Sequence, residues 1–210
     1  MKGNKIIITS DMAHFKNSRS AVLQQTYEIP PISTVIGILK NVYGENIKDF
    51  IFGYNFKYDF SQYEISTLYK EVNIKVKNTM KDRFITNPCS IEYLINPKLE
   101  IIVCGLEADY KLDTVLNLGK TNCLAKIKIE EVEVIEDNIY QDNVLTCVND
   151  GTGRIERQNI ETIYNEDKGC FDYYTKLIRI NDEYECNYCY EDNGIYLWKY
   201  NKVGDIECYK

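Results

Sequence analysis

The sequence predicts an α+β domain of βαββαβ order with a protruding hairpin, followed by a small acidic β-rich extension. Three observations lead there. Residues 33–43 carry Val35, Ile36, Leu39, Val42 and Tyr43 at helical spacing. Most other apolar segments up to residue 135 alternate with a period of two, as half-buried strands do. Beyond Glu136 the texture changes to short strands and polar turns, and the charge changes with it. Residues 1–128 hold 17 Lys and Arg against 13 Asp and Glu, whereas residues 129–210 hold 8 against 19. We therefore read 1–136 as the domain and 137–210 as the extension.

The elements follow in order. Residues 5–10 form a buried strand. Residues 11–31 are a long loop with His14, Lys16 and Arg19. Pro30 and Pro31 stop the incoming chain, and Ser33 or Thr34 is expected to cap the helix by accepting a hydrogen bond from its first N–H groups. Gly44 ends it. Residues 50–60 place Phe50, Phe52, Tyr54, Phe56, Tyr58 and Phe60 on one side of a strand. An RNA-binding sheet would use such rings for stacking. Six exceed what a stacking platform needs, so the face is assigned to the core. Strands over 71–77 and 83–94 make the hairpin, near 66–90, with Lys75, Lys77, Lys81 and Arg83 on its outer surface. That surface suits either nucleic acid or a lysine-protected sheet edge. Residues 99–104 form a strand, 108–118 a second helix, and 124–135 a long strand. The apolar phase of this last strand slips, which predicts a bulge at Glu130-Glu131. The βαββαβ order is that of ferredoxin-like folds.

Other features narrow the chemistry. The chain is 210 residues long with a net charge of -7, and no apolar run approaches the ~20 residues of a membrane span. The N-terminus lacks a signal-like segment, so a cytoplasmic protein with reduced cysteines is expected. Gly119-Lys120-Thr121 is not a nucleotide-binding P-loop: its first glycine would fall at Thr114, and a strand follows rather than a helix. It is instead a glycine turn able to bring backbone and Lys120 close to a phosphate. Cys186 and Cys189 form a lone CxxC, for which zinc would also require Cys170 and Cys208, so structural thiols are expected. No metal or cofactor is expected. His14 is the single histidine. On residues alone it is a polar loop residue, though a metal-free ribonuclease could pair it with a tyrosine and a lysine.

Four segments together resemble one family: His14-Phe15-Lys16-Asn17-Ser18-Arg19, the run Thr26-Tyr27-Glu28-Ile29-Pro30-Pro31-Ile32-Ser33-Thr34-Val35-Ile36-Gly37-Ile38-Leu39, Tyr93-Leu94-Ile95-Asn96-Pro97, and Leu118-Gly119-Lys120-Thr121. The chain resembles the "Cas-five" subunits of type I CRISPR surveillance (Cascade) complexes, within the RAMP superfamily, most nearly the type I-B branch. The resemblance covers about residues 1–136. It implies an RRM-like ferredoxin fold with a hairpin thumb, in a subunit that caps the 5′ handle of the CRISPR RNA in antiviral defence. The implied partners are that RNA, the backbone ("Cas-seven") and large ("Cas-eight") subunits, and target DNA through the complex. The implied RNA contacts are Ser33, Thr34, Gly119 and Lys120 flanking the handle, His14, Phe15, Lys16 and Arg19 lining it, and Lys75, Lys77, Lys81 and Arg83 on the thumb. In one branch the equivalent subunit cleaves precursor RNA without metal. Here the candidates for that chemistry would be His14, Lys120 and Tyr43.

Overall fold

The alternation in β1 (Lys2–Ser10) sends Ile6 and Ile8 to one face, where both are fully buried. The computed structural model, which describes residues 1–17, 22–72, 84–106, 109–111 and 115–209, places this strand inside the main sheet. Two short strands follow, β2 (Met12–Ala13) and β3 (Leu23–Gln24), and then helix α1 (Ile32–Tyr43). Next come β4 (Phe50–Lys57), the hairpin arms β5 (Phe60–Val72) and β6 (Phe84–Ile95), β7 (Lys98–Cys104) and β8 (Leu116–Asn117). The chain closes with β9 (Leu124–Cys147), β10 (Arg154–Asn165), β11 (Cys170–Tyr190), β12 (Asn193–Ile195), β13 (Trp198–Lys202) and β14 (Asp205–Cys208). The fold is mostly β-sheet, and α1 is the only helix among the described residues.

The main sheet runs β10-β11-β9-β1-β7-β4-β13-β14. β1 pairs antiparallel with β7 and with β9, and β7 pairs antiparallel with β4. The chain therefore crosses by α1 from β1 to β4, which run parallel with β7 between them. A smaller sheet, β2-β6-β3 with β5 paired to β6, stands beside it.

Both faces of the main sheet are covered. Val35, Ile36, Leu39 and Val42 of α1 share one core with Ile6, Ile8, Phe50, Phe52, Ile101 and Val103. On the other face Ile102, Cys104 and Val134 pack with Tyr190, Ile195 and Leu197. Lys5 is also buried on this face, where it is paired with Glu191 at 2.9 Å and Glu100 at 3.6 Å. The phase slip in β9 follows from these two cores. Ala125, Ile127 and Ile129 pack on the helix side, while Val132 and Val134 pack on the opposite side. The expected bulge at Glu130-Glu131 is absent, since the register is unbroken from Lys2↔Glu133 to Ser10↔Ala125. The strand changes which face it buries without gaining a residue.

Three other expectations are corrected. The helix begins at Ile32 with Pro31 as its cap residue, and no side chain caps it. The Pro31 carbonyl accepts from the N–H groups of Thr34 (2.9 Å) and Val35 (3.4 Å), so Ser33 and Thr34 lie within the first turn. The second helix over 108–118 is not present in the described residues there: 109–111 are irregular and Leu116–Asn117 pairs with β9. Leu116 and Leu118 are both buried, and their spacing of two suits a strand, not a helix. The boundary expected between 136 and 137 falls inside a strand, because β9 continues through the polar stretch from Asn138 to Cys147, paired with β11.

Other expectations hold. The N–H of Gly44 donates to the Lys40 carbonyl at 2.8 Å and ends α1. Phe50, Phe52 and Phe56 are core residues, although Phe60 emerges at the base of the exposed hairpin. All eight cysteines are free thiols. No described helix is long and apolar enough to cross a membrane. Arg19, Lys75, Lys77, Lys81 and Arg83 lie outside the described residues.

Candidate functional site

Three segments far apart in sequence meet at the start of α1. Pro30 and Pro31 set its entry, and Tyr54 of β4 donates a hydrogen bond to the Pro30 carbonyl at 2.8 Å. The loop after β2 is braced from within: Phe15 N–H donates to Thr26 Oγ1 at 2.8 Å and Tyr27 N–H to the Phe15 carbonyl at 2.8 Å. The turn after Leu118 is pinned to this loop by the N–H of His14, which donates to the Leu118 carbonyl at 3.0 Å. Gly119 there has φ +91°, and a Cβ at this position would lie 1.8 Å from the His14 carbonyl oxygen. Only glycine permits that approach.

These segments border a cleft of about 530 Å³. Lys16 and Lys120 stand on its walls, and none of the described residues lining it is acidic. Lys120 Nζ sits 5.8 Å from the centroid of the Tyr93 ring, and Asn122 donates to the Tyr93 hydroxyl at 3.3 Å. At the helix start, the N–H groups of Ile32 and Ser33 have no intrahelical carbonyl to reach, and the first turn contains no acidic residue. Two lysines, a helix N-terminus and a glycine turn together favour a phosphate-bearing ligand. Tyr27, half-buried, adds an aromatic surface. Phe15 also lines the cleft but is only 3% exposed, packed edge-on against Phe56. It forms wall, not a free stacking ring.

His14 is 1% exposed. Its Nδ1 lies 2.7 Å from the Glu92 carbonyl, so Nδ1 carries the proton and Nε2 the lone pair. Burial lowers its pKa, the bond to Glu92 opposes that, and the charges of Lys120 and Lys16 lower it further. The imidazole is therefore neutral at pH 7. Tyr43 is not brought to this site. It lies at the far end of α1, about 14 Å along the axis from Thr34, and its hydroxyl accepts from the Asn4 amide at 3.0 Å.

The sequence reading missed the wall supplied by β10. Gln158 and Asn159 line the cleft opposite the helix start. β10 has an irregularity between Asn159 and Glu161, which leaves Ile160 outside the ladder and turns Gln158, Ile160 and Glu161 all inward. Gln158 is 2% exposed, and neither end of its carboxamide has a hydrogen-bond partner. A polar run in an acidic segment carries no periodic signal for this. The groove continues along α1 as a second cleft of about 620 Å³, which shares Ser33, Thr34 and Asn159 with the first and passes Gly37 and Lys40.

Cys186 and Cys189 do not line this cleft. Cys186 and Cys189 are buried, and burial pushes the Cys186 thiol up to about 12. Among the described residues the one group with metal-ligand proximity is Cys147, Asp150 and Cys208. Asp150 there already accepts from the Tyr196 hydroxyl at 2.6 Å.

The architecture has a counterpart among solved structures. A chain of a CRISPR RNA-guided surveillance complex matches with a TM-score of 0.52 at 13% identity, over 87% of this chain and 91% of that one. A CRISPR protein from Archaeoglobus fulgidus matches with a TM-score of 0.39 at 12% identity, over 98% of both chains. No protein-family model and no curated protein matches the chain. At this identity the first likeness is one of fold.

Proposed function

We propose that this protein is a non-catalytic, RNA-binding subunit of a type I CRISPR surveillance complex, of the "Cas-five" kind in the RAMP superfamily and nearest the type I-B branch. Its cleft holds the 5′ handle of the CRISPR RNA. The carrying observation is the meeting of 14–16, the helix start at 32–34 and the 119–120 turn around one cleft without acidic lining. These are the segments that the family resemblance singled out, and their chemistry suits phosphates. The fold likeness to a chain of a surveillance complex adds support. So does the sheet order β9-β1-β7-β4, which is the order of the fourth, first, third and second strands of a ferredoxin-like domain.

In this reading the β5–β6 hairpin is the thumb, and Lys75, Lys77, Lys81 and Arg83 extend the RNA contact from it. Arg19 belongs with Lys16. The backbone and large subunits bind the rest of the surface, and target DNA is met only through the complex. The test is a titration of CRISPR RNA, in the reconstituted complex, against Lys16→Ala with Lys120→Ala. Affinity is expected to fall roughly tenfold at low salt, with the salt slope reduced by about 1.4. Unchanged affinity and slope would remove the cleft from the RNA path.

A metal-independent ribonuclease is the second reading, favoured by His14 and Lys120 sharing that cleft. The distance of Tyr43, whose hydroxyl is held by Asn4 outside the cleft, weighs against it. Repeat RNA cut in the presence of a chelator by the wild type, and not by His14→Ala, would establish cleavage.

A further inference from the structure

Among the described residues, three buried side-chain polar atoms lack a hydrogen-bond partner: Nε2 of His14, and Oε1 and Nε2 of Gln158. All three belong to residues lining the same cleft. Native proteins leave few such atoms, because each has given up water without replacement. For packing alone, a leucine at 158 would serve better than a carboxamide with both ends unpaired. The neighbouring Asn159 shows the contrast, since its amide donates to Thr162 Oγ1 at 2.6 Å.

The chemistry of the unpaired set is specific. The Gln158 carboxamide presents one acceptor and one donor side by side in a plane. His14, with Nδ1 committed to Glu92, presents a second acceptor. Two acceptors and a donor complement an exocyclic amine adjacent to a ring nitrogen that carries a lone pair. Adenine and cytosine display that edge. Uracil lacks the amine, and on the Watson–Crick edge guanine places a ring N–H beside its amine, its lone-pair neighbour N3 lying on the sugar edge.

We propose that Gln158, assisted by Nε2 of His14, reads the edge of one amino-bearing base, adenine or cytosine, held in the cleft. This rests on the RNA-binding reading above and deepens it: the lysines and helix start hold the backbone, while β10 of the acidic region selects the base. Gln158 is thus a specificity residue.

The experiment selects a randomised pool of single-stranded RNA octamers on the full-length chain at low salt, sequences the bound fraction, and titrates single-position variants. Wild type is expected to favour adenine or cytosine over uracil at one position by about tenfold or more; the variants tell the two bases apart. Gln158→Leu is expected to abolish that preference, lowering affinity for the preferred octamer about tenfold, to that of its uracil variant, and to leave the salt slope unchanged because no charge is removed. It should also melt at a higher temperature than wild type, because the unpaired carboxamide is gone. Gln158→Glu should move the preference toward guanine, whose ring N–H and amine can both donate to a carboxylate. Salt-dependent binding without base preference in the wild type would overturn the assignment and leave RNA binding standing. A preference retained in Gln158→Leu, or a lower melting temperature for it, would also overturn the assignment. Absence of any octamer binding would remove both readings.

Discussion

Gly119 shows how one missing side chain shapes the cleft. Its left-handed backbone and the 1.8 Å separation of a would-be Cβ from the His14 carbonyl oxygen are two independent demands for glycine. Gly119→Ala must push the 118–123 turn away from His14, breaking the contact that places Lys120 over Tyr93. A loss of at least about 2 kcal/mol is expected in urea unfolding. RNA affinity should fall with it, because Lys16 and Lys120 would no longer face one cleft. Stability equal to wild type would mean that the turn is free to relax.

At the scale of elements, the decisive contact joins α1 to β10. Glu161 is buried, forms an ion pair with Lys40, and accepts from the Tyr200 hydroxyl at 3.1 Å and the Gly204 N–H at 2.8 Å. One carboxylate thus ties the helix, the β10 wall and the β13–β14 hairpin together. Removing its charge leaves Lys40 uncompensated beside a buried surface. Glu161→Gln is expected to cost about 3 kcal/mol in chemical denaturation. A smaller helical signal before the main transition would accompany it, since α1 is held to β10 through this pair. A loss within a few tenths of a kcal/mol would show that solvent reaches Lys40.

At the scale of the whole molecule, the acidic C-terminal region is built into the same sheet as the N-terminal strands. The boundary expected at 136/137 falls inside β9, a strand running from Leu124 to Cys147. β13 returns to pair with β4, placing Tyr200 on Phe50 with ring centroids 4.8 Å apart and Trp198 opposite Phe52. A fragment ending at residue 136 would expose these rings and lose the β10 wall. It is expected to show no cooperative unfolding transition by circular dichroism, and the full chain is expected to show one. A fragment with a sharp transition of its own would make the C-terminal region an accessory.

The division between sequence and structure follows from the range of the interactions. Local order was legible: the proline-gated helix with its Gly44 stop, the alternation of β1, β4 and β7, and the second hairpin arm, β6, all rest on neighbours within a few residues, whereas the first arm, expected over 71–77, is β5 at Phe60–Val72. The segments 14–16, 33–34 and 119–120 stood out in the sequence, and the fold brings them to one cleft. The second helix, in the described residues of its span, and the bulge in β9 were misread because both depend on what lies across the sheet, and the side-chain cap was misread because the helix starts earlier, at Ile32 with Pro31 as its cap residue. A phase slip looks like a bulge until a second core appears on the other face. Leu116 and Leu118 fit a strand only once β9 is beside them. By itself the sequence determined the helix, the strand phases and the two lysines. Only tertiary structure could bring β10 across from a segment more than a hundred residues away and place Gln158 and His14 on the lining of one cleft, because burial without a partner is a property of the packed surroundings.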